Sequence, residues 1–191
     1  MKKLQTLLLT VSLTIALMQN LFAAEKYMIE PNHTSIVWNA NHFGFSNPSG
    51  KFSKVSGYIM FDEKNPKESA VNVTINLASL VTGLEMFDEH LKSKDFFNVE
   101  QFPEATFVSH KIVITDKNKA KITGDLTLLK ITKPVTLDVT FNKSGINPLN
   151  QKQTIGFSAT AKIKRSDFGI NYAIPNVSDD VNLIIETEAN R

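Results

Sequence analysis

From Ser35 onward, apolar residues return at every second position in one segment after another, the period of a half-buried β-strand rather than of a helix. Ile36, Trp38, Ala40 and His42 share one face against Ser35, Asn39 and Asn41. Val55, Gly57, Ile59 and Phe61 form the next such face, and Val71, Val73, Ile75 and Leu77 alternate with Asn72, Thr74 and Asn76. The same rhythm runs through 122–128, 135–141, 155–163 and 181–185; with 27–30 and 105–115 added, eight or nine strands fit. Turn chemistry separates them at Asn47-Pro48-Ser49-Gly50, Asp62 to Pro66, Asp116-Lys117-Asn118, Ser144 to Asn150 and Pro175-Asn176. Strands joined so closely pair antiparallel, and one apolar face per strand suits a barrel or a sandwich. A closed sheet also leaves no exposed edge.

The rhythm breaks once, between Ser79 and Glu104. Phe87, His90, Leu91 and Lys94 recur three and four apart while Asp88 and Lys92 can pair on the other face, which predicts a short amphipathic helix near 85–94. A segment of this length inside a compact domain usually acts as a lid or a binding loop, so the helix is expected across one barrel opening or beside it.

The first residues add a destination. Met1-Lys2-Lys3, an apolar run to Met18 and the ending Leu21-Phe22-Ala23-Ala24 have the three regions of a secretory signal peptide, giving a cleaved segment 1–23 and one mature domain, 24–191. The apolar run is interrupted by Thr6, Thr10, Ser12 and Thr14 and falls short of the ~20 residues that span a bilayer. With no cysteine there is no lipidation site after the signal and no disulfide, so a periplasmic location is expected. Loss of Lys2 and Lys3 leaves 19 basic against 19 acidic residues. A neutral chain argues against nucleic acid and against a polybasic membrane anchor.

Several short runs share a pattern: Asn32-His33-Thr34-Ser35, Leu80-Val81-Thr82-Gly83, Asp88 to Phe97 followed by Gln101 to Phe107, Gly124-Asp125-Leu126-Thr127, Thr132-Lys133-Pro134-Val135-Thr136-Leu137 and Arg165-Ser166-Asp167-Phe168-Gly169. In this order they resemble the YceI-like lipid-binding family over essentially the whole mature chain. One departure is Leu129-Lys130-Ile131, where the family commonly has Gly-Val before a Thr-Lys-Pro-Val turn. The resemblance implies an all-β, antiparallel, eight-stranded lipocalin-like barrel that holds a polyisoprenoid, an isoprenoid quinone or a fatty acyl amide, with no catalytic step and no cofactor beyond that lipid.

An eight-stranded barrel can be filled by its own side chains or can hold a small ligand, and pattern alone does not choose. If a ligand is held, Trp38, Phe52, Ile59, Val73, Ile75, Leu126, Leu137, Val139, Phe157 and Phe168 are the expected lining, with Phe87, His90 and Leu91 on the lid and His42 as a polar group on the Trp38 face. Each could equally be ordinary core. His33, His42, His90 and His110 match no compact metal-ligand spacing, so no metal site is expected. Neither Ser35 near His33 nor Asp88 with His90 has a third partner to orient it, so no catalytic set is read. Asp167-Phe168-Gly169 lacks every companion of the kinase motif it copies. By analogy with lipocalin-like barrels, Arg165 is expected to stack on Trp38. Two other readings are weighed: an enzyme acting on a bound prenyl lipid through His42 or His90, and a small outer-membrane barrel, against which Asn72, Thr74, Asn76, Thr160, Lys162 and Lys164 stand on the alternate faces. A homodimer through an exposed strand stands open beside a monomer.

Overall fold

The computed structural model describes residues 24–191; the expected signal segment 1–23 lies outside the described residues. Eleven strand segments form one antiparallel sheet that closes on itself. They are β1 (Glu25–Ile29), β2 (Ser35–His42), β3 (Ser49–Phe52), β4 (Val55–Phe61), β5 (Ala70–Asn76), β6 (Leu80–Val81), β7 (Glu104–Asp116), β8 (Lys119–Leu128), β9 (Ile131–Ile146), β10 (Gln153–Lys164) and β11 (Val177–Asn190), with one helix, α1 (Glu85–Lys92), before β7.

The segments reduce to an eight-stranded barrel because three strands are bent in the middle. β1 and β2 run along the same side of β11, one at Met28↔Asn190, the other from Glu186↔Ser35 to Val177↔His42. β3 with β4, and β5 with β6, continue one another in the same way: β4 pairs with β1 and β5, and β3 pairs with β2 and β6. The bends have side-chain causes. At Pro31, which has no N–H for the ladder, the Glu30 carboxylate accepts from the N–H groups of Asn32 and His33. At 77–79 the Asn76 side chain accepts from the Ser79 N–H, and the Ser79 hydroxyl takes the Lys54 N–H from the bend beside it. These partners satisfy the groups a broken ladder would leave bare.

The alternation places the expected faces inward. Tyr27, Trp38, Phe52, Ile59, Ile75, Phe107, Ile122, Val139 and Ile155 are all buried. Three local expectations are corrected. Ser49 and Gly50, read as part of a turn, begin strand β3. Ser144 to Ile146 stay in β9, and the turn falls at 147–152. The Thr132 to Val135 run is also strand; the hairpin turn is Leu129-Lys130, with Leu128 paired to Ile131 and both turn residues at positive φ, 51° and 63°. Two such residues suit the twist of a two-residue hairpin, although neither is the usual Asn or Gly.

Candidate functional site

The barrel is not filled by its own side chains. A cavity of about 720 Å³ runs inside it from the end that carries α1 to the opposite end, where Glu63, Asp116, Lys117, Asn118 and Lys119 stand at its edge. Packed interiors hold few voids larger than one water. This volume is within the range of small-molecule pockets.

Every residue expected on the lining or the lid lies on this wall except one. Trp38 and His42 come from β2, Phe52 from β3, Ile59 from β4, Val73 and Ile75 from β5, Leu126 from β8, Leu137 and Val139 from β9, Phe157 from β10, and Phe87, His90 and Leu91 from α1. Phe168 is the exception. It is packed at 1 % exposure in the turn after β10 and does not face the cavity, whereas its neighbour Ile170 does. The wall also includes aromatic residues that were not expected there. Phe61 and Phe141 lie 5.4 Å from each other and 5.5 and 5.3 Å from the expected Phe157, toward the end away from α1. Phe61 and Phe141 were readable from the alternation, since both end an apolar face. Phe96, Phe97 and Tyr172 lie in irregular segments and gave no periodic signal.

The segment around α1 covers one end of the barrel. Leu91 is buried, Phe87 meets Trp38 edge-on at 6.3 Å, and Phe97 meets Phe52 at 5.4 Å. His90 and Phe96 pack against Tyr172 of the 169–176 loop at 5.3 and 5.4 Å, and His90 also stands 3.4 Å from Asp95. One polar tie holds the start of the helix: Asp88 Oδ1 accepts from both the hydroxyl and the N–H of Thr82, at 2.6 and 2.7 Å. The Thr82 hydroxyl bond, aided by the Thr82 N–H and the Lys92 charge, outweighs desolvation and holds the Asp88 carboxyl below its ordinary range.

Trp38 packs over Gly50, where there is no side chain to push it aside, and its indole N–H has no acceptor among the described residues. The expected stacking of Arg165 on Trp38 is not what the structure shows. The guanidinium donates instead to the carbonyls of Ser178, Ile170 and Val177, at 2.9, 3.1 and 2.9 Å, and so fixes the loop after β10 onto the start of β11. Buried carbonyls left by an irregular loop need donors, and Arg165 supplies three. Among the described residues no group of three or more His, Cys, Asp or Glu could hold a metal ion. His33 is bonded to Glu30, His110 lies 3.6 Å from Asp125, and His42 touches the ring of Phe43.

With this geometry in view, the YceI-like domain family matches residues 27–189. The chain belongs to the YceI-like family. Protein YceI of Escherichia coli O157:H7 is 42% identical over 159 residues, covering 83% of this chain and 82% of that one. The crystal structure of BcnA from Burkholderia cenocepacia is similar with a TM-score of 0.76 at 27% identity, over 84% of this chain and 99% of that one. A polyisoprenoid binding domain from Saccharophagus degradans, implicated in plant cell wall breakdown, has a TM-score of 0.67 at 12% identity, over 86% and 97%, and shares the fold. Within the YceI-like family, then, this chain is a closed barrel around an apolar cavity, with a lid at one end. No helix among the described residues is long and apolar enough to cross a membrane.

Proposed function

We propose that this YceI-like protein is a periplasmic carrier that holds one long-tailed lipid, isoprenoid or acyl, inside its barrel and releases it unchanged. The observation that carries the reading is the 720 Å³ cavity, walled mainly by Val, Ile, Leu and Phe from every strand segment but β6. Water filling such a space would find few polar partners. Burying roughly ten methylene groups at about 0.8 kcal/mol each gives on the order of 8 kcal/mol, near micromolar affinity before the tail's ordering cost. A useful ligand therefore has a longer tail than that. The polyisoprenoid-binding relative in fold agrees with a prenyl chain, and a quinone or acyl amide would use the same wall.

The non-enzymatic part of the proposal rests on the histidines nearest the cavity. His42 meets Phe43 and His90 meets Phe96, Tyr172 and Asp95, and neither stands in a nucleophile–base–orienter chain. The outer surface supports a soluble barrel over a membrane-inserted one. It carries Lys121 paired with Asp138, Lys164 paired with Asp180, and the hydroxyl pairs Thr123–Thr136 and Thr127–Thr132. A lipid-facing band would be apolar there.

Native mass spectrometry of protein released from the periplasm without detergent, followed by solvent extraction, tests the proposal. One long-tailed lipid near one-to-one occupancy is expected. The double variant Val73→Trp, Ile75→Trp should keep the fold and lose the lipid. Full occupancy in that variant would place the ligand outside the barrel.

A further inference from the structure

We infer that the lid end of the cavity carries an oxyanion site built on Arg165, so that the lipid held there is one whose head is a carboxylate or a phosphate. This rests on the lipid-holding reading and narrows it. Three cations stand on the cavity wall, and they differ in kind. Lys117 and Lys119 are exposed on the turn at the far end. Arg165 is 6 % exposed, and no carboxylate among the described residues forms an ion pair with it.

Its nearest acid, Asp179, is otherwise engaged. The Asp179 carboxylate accepts from the N–H and the hydroxyl of Ser166, at 2.9 and 2.8 Å, and lies 3.6 Å from the Lys164 ammonium. A guanidinium has five N–H donors, and carbonyls take three of them here, leaving one on each Nη. Carbonyl dipoles satisfy those donors but do not cancel the charge. Burial draws the Arg165 pKa below its ordinary value, and Asp179 offsets this only from a distance. An anion brought into the cavity would supply the missing charge through bonds stronger than neutral ones.

The surroundings fit a head at this level. Val177, whose carbonyl Arg165 holds, pairs with His42 across β2 and β11, and both residues are on the wall. Tyr172 reaches the wall from the loop that Arg165 fixes. Both are solvent-exposed, and neither the His42 imidazole nor the Tyr172 hydroxyl makes a hydrogen bond among the described residues; His42 meets the ring of Phe43, and Tyr172 those of His90 and Phe96. A buried cation and two exposed polar groups without a protein partner thus line the same cavity, at the lid end where a head would rest once its tail is inside.

The test uses the full mature chain stripped of lipid, titrated with four ligands of one tail length: hexadecanoate, hexadecyl phosphate, hexadecanol and hexadecanamide, with Trp38 emission as the readout. The two anions should bind at least about tenfold more tightly than the two neutral ligands. Whichever anion binds better identifies the head. Arg165→Gln should remove the preference, Arg165→Lys should keep part of it, and Tyr172→Phe should weaken it. Because Arg165 also holds three carbonyls, its variants can fail to fold, and a measurement on the unaltered protein covers that outcome. The carboxyl carbon of bound hexadecanoate, labelled with carbon-13, should stay ionised well below the pH at which free hexadecanoate protonates. Equal affinity for acid and alcohol, with a bound carboxyl that titrates like the free one, would overturn the oxyanion site and leave the carrier intact. Failure of all four ligands to bind, when a neutral prenyl lipid such as an isoprenoid alcohol does bind, would overturn the oxyanion site and the acyl form of the carrier; failure of that prenyl lipid as well would overturn the carrier reading.

Discussion

Trp38 shows how one position decides both packing and cavity shape. Its ring lies on Gly50, where an added Cβ would fall 2.7 Å from the indole Cζ2 and 2.9 Å from the Thr82 methyl. Backbone conformation does not require glycine there; the ring does. Gly50→Ala should push the indole toward the cavity and cost about 1–3 kcal/mol, as overpacking a fixed site does. Trp38 is the single tryptophan, so its emission reports the shift directly. An unchanged emission maximum together with an unchanged urea midpoint would show that the ring does not rest on this glycine. The tryptophan's inward position was legible in the sequence, because Ile36, Trp38 and Ala40 keep the period of a strand. Gly50 was not, since Asn-Pro-Ser-Gly reads as a turn until the ring above it is seen.

At the level of elements, strands and helix were legible for the same physical reason: alternation and three–four spacing are local, and burial on one face enforces them. The bends were not, because they depend on bonds between residues distant in sequence. The Ser79 hydroxyl on the Lys54 N–H is one such bond, and no pattern near Lys54 announces it. The Leu129-Lys130 turn was hidden differently. It uses two positive-φ residues without the Gly or Asn that would mark them. The helix itself makes a prediction about pH. Asp88 ties Thr82 to α1 as a carboxylate held below its ordinary value of 3.8, so the tie is fully present above that value. It weakens only as pH falls from there through the lowered native value. Hydrogen exchange at the start of α1 should therefore be flat from neutral pH down to the ordinary carboxylate range, after correction for intrinsic rates, and quicken below it. Asp88→Ala should exchange fast throughout. Protection in that variant equal to the parent's would show that the aromatic contacts of Phe87 and Phe97 hold the lid without the carboxylate.

For the whole molecule, the cavity makes the ligand part of the core. A barrel that keeps about 720 Å³ unfilled gives up dispersion contacts along its entire wall, and a bound tail restores them. Ligand that binds only the folded barrel adds stability by mass action, about 2.7 kcal/mol at one hundred times its dissociation constant. For a domain of this size each kcal/mol moves the melting midpoint by about 2–4 °C, so saturation should raise it by about 5–11 °C. The Val73→Trp, Ile75→Trp protein supplies the control. Its added rings occupy the ligand's space, so its midpoint should not respond to lipid at all. Differential scanning calorimetry with and without excess lipid decides the matter: a shift in the parent alone puts the lipid inside the barrel, whereas equal shifts in both proteins would mean that the stabilising lipid binds the outer surface.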